Sequence, residues 1–199
     1  MEKLFKYLKD NYKEAEPILL KDLKNLNISY DNLRQKLKKL TDQGYLYRIS
    51  DGVYSYGDKA EVKKIIENRF IKRNNKIFGY YTKKSLLKYL GFDIDTEIEE
   101  IITNDFKAIV REIDFAGVKL KVRHSKILIN NDNCYILQFL DLIKDLSNYE
   151  INQYDLERKL RKYIKTHEIC KDDIDKYINL YPSITFKNYY KYNISDILL

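Results

Sequence analysis

Apolar residues in the early part of the chain recur first at helical and then at strand spacing. Leu4, Phe5, Leu8 and Tyr12 share one side of a helix over 2–12, and Leu19, Leu23 and Leu26 share one face of a second. Pro17 falls at the start of that second helix, where its missing N–H costs nothing. Asn27 and Ile28 break the pattern, and Ser29 stands where an N-cap belongs. Leu33, Leu37 and Leu40 then stripe a longer helix that Gly44 can close with positive φ. Two β-rich runs, 45–50 and 53–56, flank Asp51 and Gly52, a dipeptide suited to a primed hairpin turn. Helix, three-residue turn, longer helix and hairpin, with the first helix completing a three-helix core, is the order of a winged helix-turn-helix over 1–57.

The pattern then changes. A boundary at Gly57 and Asp58 precedes a charged helix over 59–71, whose Val62, Ile65, Ile66 and Phe70 form a stripe free to pack on either neighbour or on a second subunit. The polar run KRNNK over 72–76 reads as a connector, so that 58–76 joins two units. The second unit, 77–148, opens with a short helix that Thr82 can cap and Gly91 can close. β-like runs follow at 98–103, 108–113, 118–123 and 127–129, with Ala116 and Gly117 turning between the second and third. The stretch 134–146 is apolar on most sides and reads as a helix buried against that sheet. Residues 149–199 form a helical C-terminal segment with Leu156, Leu160, Tyr163 and Ile164 inward. A last short helix near 174–178 leads into a Tyr-rich end. The class is α+β.

Composition supports a folded chain: of 199 residues, 44% are hydrophobic and 34% charged. The net charge of +7 favours a polyanionic partner without naming it. An AT-rich coding bias would by itself enrich Lys, Ile, Asn and Tyr, so part of that basicity carries no message. No apolar run approaches the ~20 residues of a membrane span, and the charged start MEKLFKYLKD has no signal-peptide pattern. A cytoplasmic protein is expected, with Cys134 and Cys170 as reduced thiols.

Rotation by about 100° per residue from the Leu33, Leu37 and Leu40 stripe puts Asp31, Gln35, Lys38 and Asp42 on the outward face, flanked by Arg34 and Lys39. Arg and Gln can read base edges with paired hydrogen bonds, and Lys suits phosphate. The candidate DNA contacts are therefore Ser29, Asp31, Arg34, Gln35, Lys38 and Lys39, with Arg48 and Ser50 from the hairpin. Arg48 shares a strand face with Leu46, so it either packs its stem inward or reaches DNA. A second basic surface, Arg158, Arg161, Lys162 and Lys165, is either a solvated face or a further phosphate-binding ridge.

Enzymatic signatures are sparse. The chain has no GxxxxGK[ST], no GxGxxG and no GxSxG. His167 and Cys170 with His124 and Cys134 do not make a zinc pattern, and neither a metal nor another cofactor is expected. A metal-dependent nuclease would need carboxylates on the second unit's strands. Glu99, Glu100, Glu112 and Asp114 occur there without telling spacing, while VKLKVR over 118–123 has no acid. That nuclease, and an RNA-binding or protein-interaction module built on the winged helix, are the alternatives to DNA regulation.

The run PILLKDLKNLNISYDNLRQKLKKLTDQGYLYRISDGVYSY resembles the N-terminal winged-helix domain of AbiEi-type antitoxins of type IV toxin–antitoxin (abortive infection) systems, through its helix-turn-helix followed by Gly44, Leu46, Arg48 and the closing Gly52, Val53 and Tyr54. FGYYTKKSLLKYLGF, EEIITND, the strand bearing Arg111, and NCYILQFLDLIKDL resemble the domain that follows in that group. The resemblance covers about 1–148, and the short Tyr- and Lys-rich C-terminal part departs from the larger members. It implies a non-enzymatic repressor that binds inverted repeats upstream of its own operon, with a homodimer expected on such a site. It also implies a second-domain role in counteracting a nucleotidyltransferase-like toxin without required direct contact.

Overall fold

A computed structural model of the chain describes residues 2–57 and 62–198. The fold is α+β. Helix α1 (Glu2–Asn11) is followed by the two-residue strand β1 (Ile18–Leu19), a 3₁₀ helix (Leu20–Leu26), helix α2 (Tyr30–Asp42) and the hairpin β2 (Tyr47–Ser50)–β3 (Val53–Ser55). The three strands form an antiparallel sheet in the order β1-β3-β2.

Residues 17–26 differ from the sequence expectation. Pro17 leads into a strand, because Leu19 pairs with Val53 of β3 instead of starting a helix. The following segment is 3₁₀, and its leucines explain why: Leu20, Leu23 and Leu26 repeat every third residue, the period at which 3₁₀ side chains eclipse on one side. All three join a core with Leu4, Leu8, Leu33, Leu37, Leu40 and Tyr54. Ser29 occupies the N-cap position of α2 but its hydroxyl makes no cap bond; its carbonyl accepts from the Leu33 N–H at 2.9 Å. The hairpin turn is not a primed one, which places positive φ at the first central residue. Of its two central residues only Gly52 has positive φ, at 68°, and a register shift lies between Arg48 and Ser50.

Helix α3 (Val62–Phe70) follows; the expected helix start at Lys59 lies outside the described residues. The run 72–76 is a hairpin, β4 (Lys72–Arg73) and β5 (Lys76–Ile77), not a plain connector. Asn74 and Asn75 both hold positive φ, 51° and 60°, so this polar pair makes the two-residue turn that twisted strands favour.

A four-stranded sheet in the order β6-β7-β9-β8 comprises β6 (Gly79–Tyr81), β7 (Ile98–Thr103), β8 (Val110–Phe115) and β9 (Val118–His124), with β7 and β9 parallel. Helix α4 (Lys83–Tyr89) lies between β6 and β7; Thr82 is its N-cap residue, again with no side-chain cap bond. Gly79 of β6 is required by close approach: a Cβ there would lie 2.1 Å from the Phe70 carbonyl oxygen. Strand β8 starts and ends two residues later than expected. Ala116 and Gly117 turn into β9, both at positive φ. The apolar run 127–129 is no strand, because Asn104 mimics one: its amide N–H donates to the Ile129 carbonyl at 2.7 Å and its oxygen accepts from the Ile129 N–H at 3.0 Å.

Helix α5 (Cys134–Asp145) is buried as expected, and α6 (Gln153–His167) and α7 (Lys171–Ile178) follow. The Tyr-rich end is helical too, as α8 (Ser183–Lys191) and α9 (Ile194–Ile197). One apolar core joins Leu86, Leu87 and Phe92 to α5 and to Leu156, Leu160, Ile174, Tyr189 and Ile194, so 77–148 and 149–199 share their interior. Another core places Ile49 and Val53 of the first sheet with Ile65, Ile66 and Phe70 of α3 and Ile101, Phe115, Leu120 and Val122 of the second. The stripe on α3 therefore packs against both neighbours at once. The Ala116 N–H, donating to the Ile49 carbonyl at 3.1 Å, ties the first hairpin to the β8–β9 turn.

Candidate nucleic-acid interface

Helix α2 is oriented by its leucines. Leu33, Leu37 and Leu40 are at most 2% exposed, which forces the opposite side of the helix into solvent. Arg34, Gln35, Lys38 and Lys39 are all exposed there. The hairpin stands beside that face, and between them runs an open groove of about 530 Å³ lined by Asp31, Arg34, Gln35, Lys38, Arg48 and Asp51. Five of the eight candidate residues thus meet on one concave surface. Ser29 and Lys39 are exposed outside the groove lining, and Ser50 is half-buried in β2.

Arg34 and Lys38 form no ion pair among the described residues; Arg34 lies over the ring of Tyr30, 5.8 Å from guanidinium carbon to centroid. Arg48 is not packed inward. Its side chain is 56% exposed and pairs with Asp51 across the turn at 2.9 Å. Residues that sequence reasoning missed here are Tyr30, Thr41 and Tyr54, which also line the groove. Tyr30, 53% exposed and next to Ser29 at the helix start, carried a usable signal, namely an aromatic off the apolar stripe. Tyr54 did not, since only its pairing with Arg48 brings it to the groove.

The second basic surface is arranged differently. Arg158 pairs with Asp155 at 2.6 Å and Arg161 with Glu157 at 2.9 Å, both within α6. Lys162 and Lys165 are exposed, with no ion pair among the described residues.

Of the four strand carboxylates weighed for a nuclease, all but Glu99 are separately engaged. Glu100 pairs with Lys83 at 3.2 Å, Glu112 with Lys121 at 3.2 Å, and Asp114 accepts the Gly117 N–H at 2.8 Å. Among the described residues no three His, Cys, Asp or Glu side chains gather as metal ligands. Cys134 is buried and Cys170 exposed, both free; burial pushes the Cys134 thiol up to about 11. No described helix is long and apolar enough to cross a membrane. No protein-family model and no curated protein matches the chain.

Proposed function

We propose that this protein is a sequence-specific DNA-binding regulator whose α2 enters the major groove and whose β2–β3 hairpin is the wing of a winged helix-turn-helix. One arrangement carries the reading: Arg34, Gln35, Lys38 and Arg48, from two elements, converge on one solvent-open groove with Arg34 and Lys38 free of carboxylate partners. Arg34 and Gln35 supply base-edge contacts, and Lys38 and Lys39 supply phosphate contacts that fix register. The site it binds is an inverted repeat upstream of its own operon, occupied by two copies. The sequence resemblance to AbiEi-type antitoxins extends the reading to a non-enzymatic antitoxin that counteracts a nucleotidyltransferase-like toxin through residues beyond the winged helix.

The test is a fluorescence-anisotropy titration of the full chain with a duplex from upstream of its reading frame and a scrambled duplex of equal length, at several salt concentrations. The upstream duplex should bind more tightly, with log K falling linearly with log salt. Equal affinity for both duplexes, or none for either, overturns the proposal.

A further inference from the structure

Between the second sheet and the C-terminal helices lies a pocket of about 300 Å³, far from the leucine stripe of α2 in sequence and built from β6, β9, α5 and the α7–α8 connection. Its charges are unequally satisfied. Asp141, 5% exposed, is fully committed: one carboxylate oxygen accepts from the Tyr80 hydroxyl at 2.6 Å and the other pairs with Lys144. Asp141 and Lys144 therefore cancel within the pocket lining, Lys144 also standing 3.9 Å from the Asp145 carboxylate outside it.

Arg123 and Lys126 remain. Neither forms an ion pair among the described residues, and the Arg123 Nε is buried without a hydrogen-bond partner. Arg123 therefore brings a positive charge with no carboxylate partner to the pocket wall, which favours an anion there. Two unbalanced cations match a dianion, and a phosphate monoester carries close to two negative charges at neutral pH. The planar fork of Arg suits two phosphate oxygens at once, and Lys adds a point charge.

The rim supplies the rest of the specificity. Ile109 and Leu180 are 87% and 63% exposed, although both are large aliphatic residues, and both border this pocket with the ring of Tyr181. A bare phosphate would leave that apolar border in water, whereas a ligand with a ring body would cover it.

We infer that this pocket binds a small phosphate monoester with an apolar ring body, of the nucleoside-monophosphate class, with Arg123 and Lys126 holding the phosphate and Ile109, Leu180 and Tyr181 contacting the ring. It is a second site, separate from the α2 groove, and its test needs no DNA, so the two readings fail independently.

The full chain is titrated with adenosine monophosphate, adenosine and inorganic phosphate, by calorimetry and by backbone amide NMR shifts. Adenosine monophosphate should saturate and bind at least about tenfold more tightly than either fragment, with shifts centred on residues 123–127 and 180–181. Arg123→Gln and, separately, Lys126→Gln should each weaken it by at least about fivefold. Lys126 is exposed, so its variant keeps the wild-type melting temperature and serves even where Arg123→Gln unfolds. Leu180→Ser should weaken adenosine monophosphate but leave inorganic phosphate unchanged. No saturable binding at millimolar concentration overturns the inference. So does phosphate alone binding as tightly as adenosine monophosphate, or binding that Lys126→Gln leaves intact.

Discussion

Helices α2 and α6 are both rich in basic side chains, but they present them differently. Three of those in α6 are paired within the helix, Lys162 and Lys165 being left open, whereas Arg34 and Lys38 of α2 have no such partner among the described residues. In α6, Asp155 takes Arg158 and Lys159, at 2.6 and 3.1 Å, and Glu157 takes Arg161 at 2.9 Å. Acids one turn before bases give the pairing that helices favour. In α2, Asp31 stands three residues before Arg34, the spacing of Asp155 and Arg158, yet Arg34 turns over Tyr30 and stays unpaired. The two first turns also differ. Asn152 caps α6 by accepting the Asp155 N–H at 3.1 Å, whereas Ser29 makes no side-chain cap to α2. The difference teaches that a count of Lys and Arg does not measure an electrostatic surface. A base paired within its own helix must give up that pair, at a cost of about 0–1 kcal/mol, before it serves a phosphate, and one left open beside a groove need not.

The strongest way to break this comparison is charge reversal on each helix in turn. Arg34→Glu with Lys38→Glu should lower affinity for upstream DNA by roughly 100-fold, since two contacts are lost and two repulsions added. Arg158→Glu with Arg161→Glu, the bases already paired within α6, should change it by less than about threefold. Equal losses, read by anisotropy at one salt concentration, would make α6 a second DNA contact and end the contrast.

Single truncations sharpen it. Arg34→Ala or Gln35→Ala should each cost ~1–3 kcal/mol of operator affinity and relax the preference at one base pair. Lys38→Ala should weaken all duplexes alike and reduce the salt slope by about one. A slope unchanged in Lys38→Ala would remove this residue from the phosphate contacts.

Arg48 comes next in size. Its exposure and its pair with Asp51 separate it from the core, so Arg48→Ala should leave the melting temperature unchanged and lower DNA affinity several-fold. A drop in melting temperature at unchanged affinity would return Arg48 to the stabilising role that its shared face with Leu46 allows.

The limits of what could be read from the chain follow from the same geometry. Periodicity located α1, α2, β7 and α5 closely because each buries one face, or nearly all, of a regular element. It gave no account of 17–26, where a strand pairing thirty-four residues away, Leu19 with Val53, competes with the helical spacing. Asn74 and Asn75 look like a solvated linker in composition, and only their positive φ makes them a hairpin turn. The apolar run 127–129 reads as a strand until Asn104, distant in sequence, supplies the bonds a neighbouring strand would have made. At the candidate site, the outward residues of α2 were legible from three leucines, but the meeting of Arg34 with Arg48 was not. It depends on how the hairpin folds back, and that is fixed by tertiary contacts of Ile49 and Val53 with α3 and the second sheet.

The smallest expected effect tests why the α6 bases are quiet. The hydrogen bond from Arg158, with one from Lys159 beside it, holds the Asp155 carboxyl below the usual carboxylate range. With the folded value lower than the unfolded one, the ionised form favours the native state at pH above the ordinary aspartate value of about 3.9. That contribution is lost as pH falls through the lower folded value. Because Asp155 and Arg158 sit at the surface, solvent screens the pair and the effect stays small. Asp155→Asn should therefore melt slightly below wild type at neutral pH, run parallel to it until pH nears the ordinary aspartate value, and converge on it as pH falls through the lower folded value. Added salt should narrow the gap at neutral pH in the same way. A gap that persists unchanged into acid would mean that Asp155 acts through its shape rather than its charge. The bases of α6 would then be as open to a phosphate as those of α2, and the contrast between the two helices would need another cause.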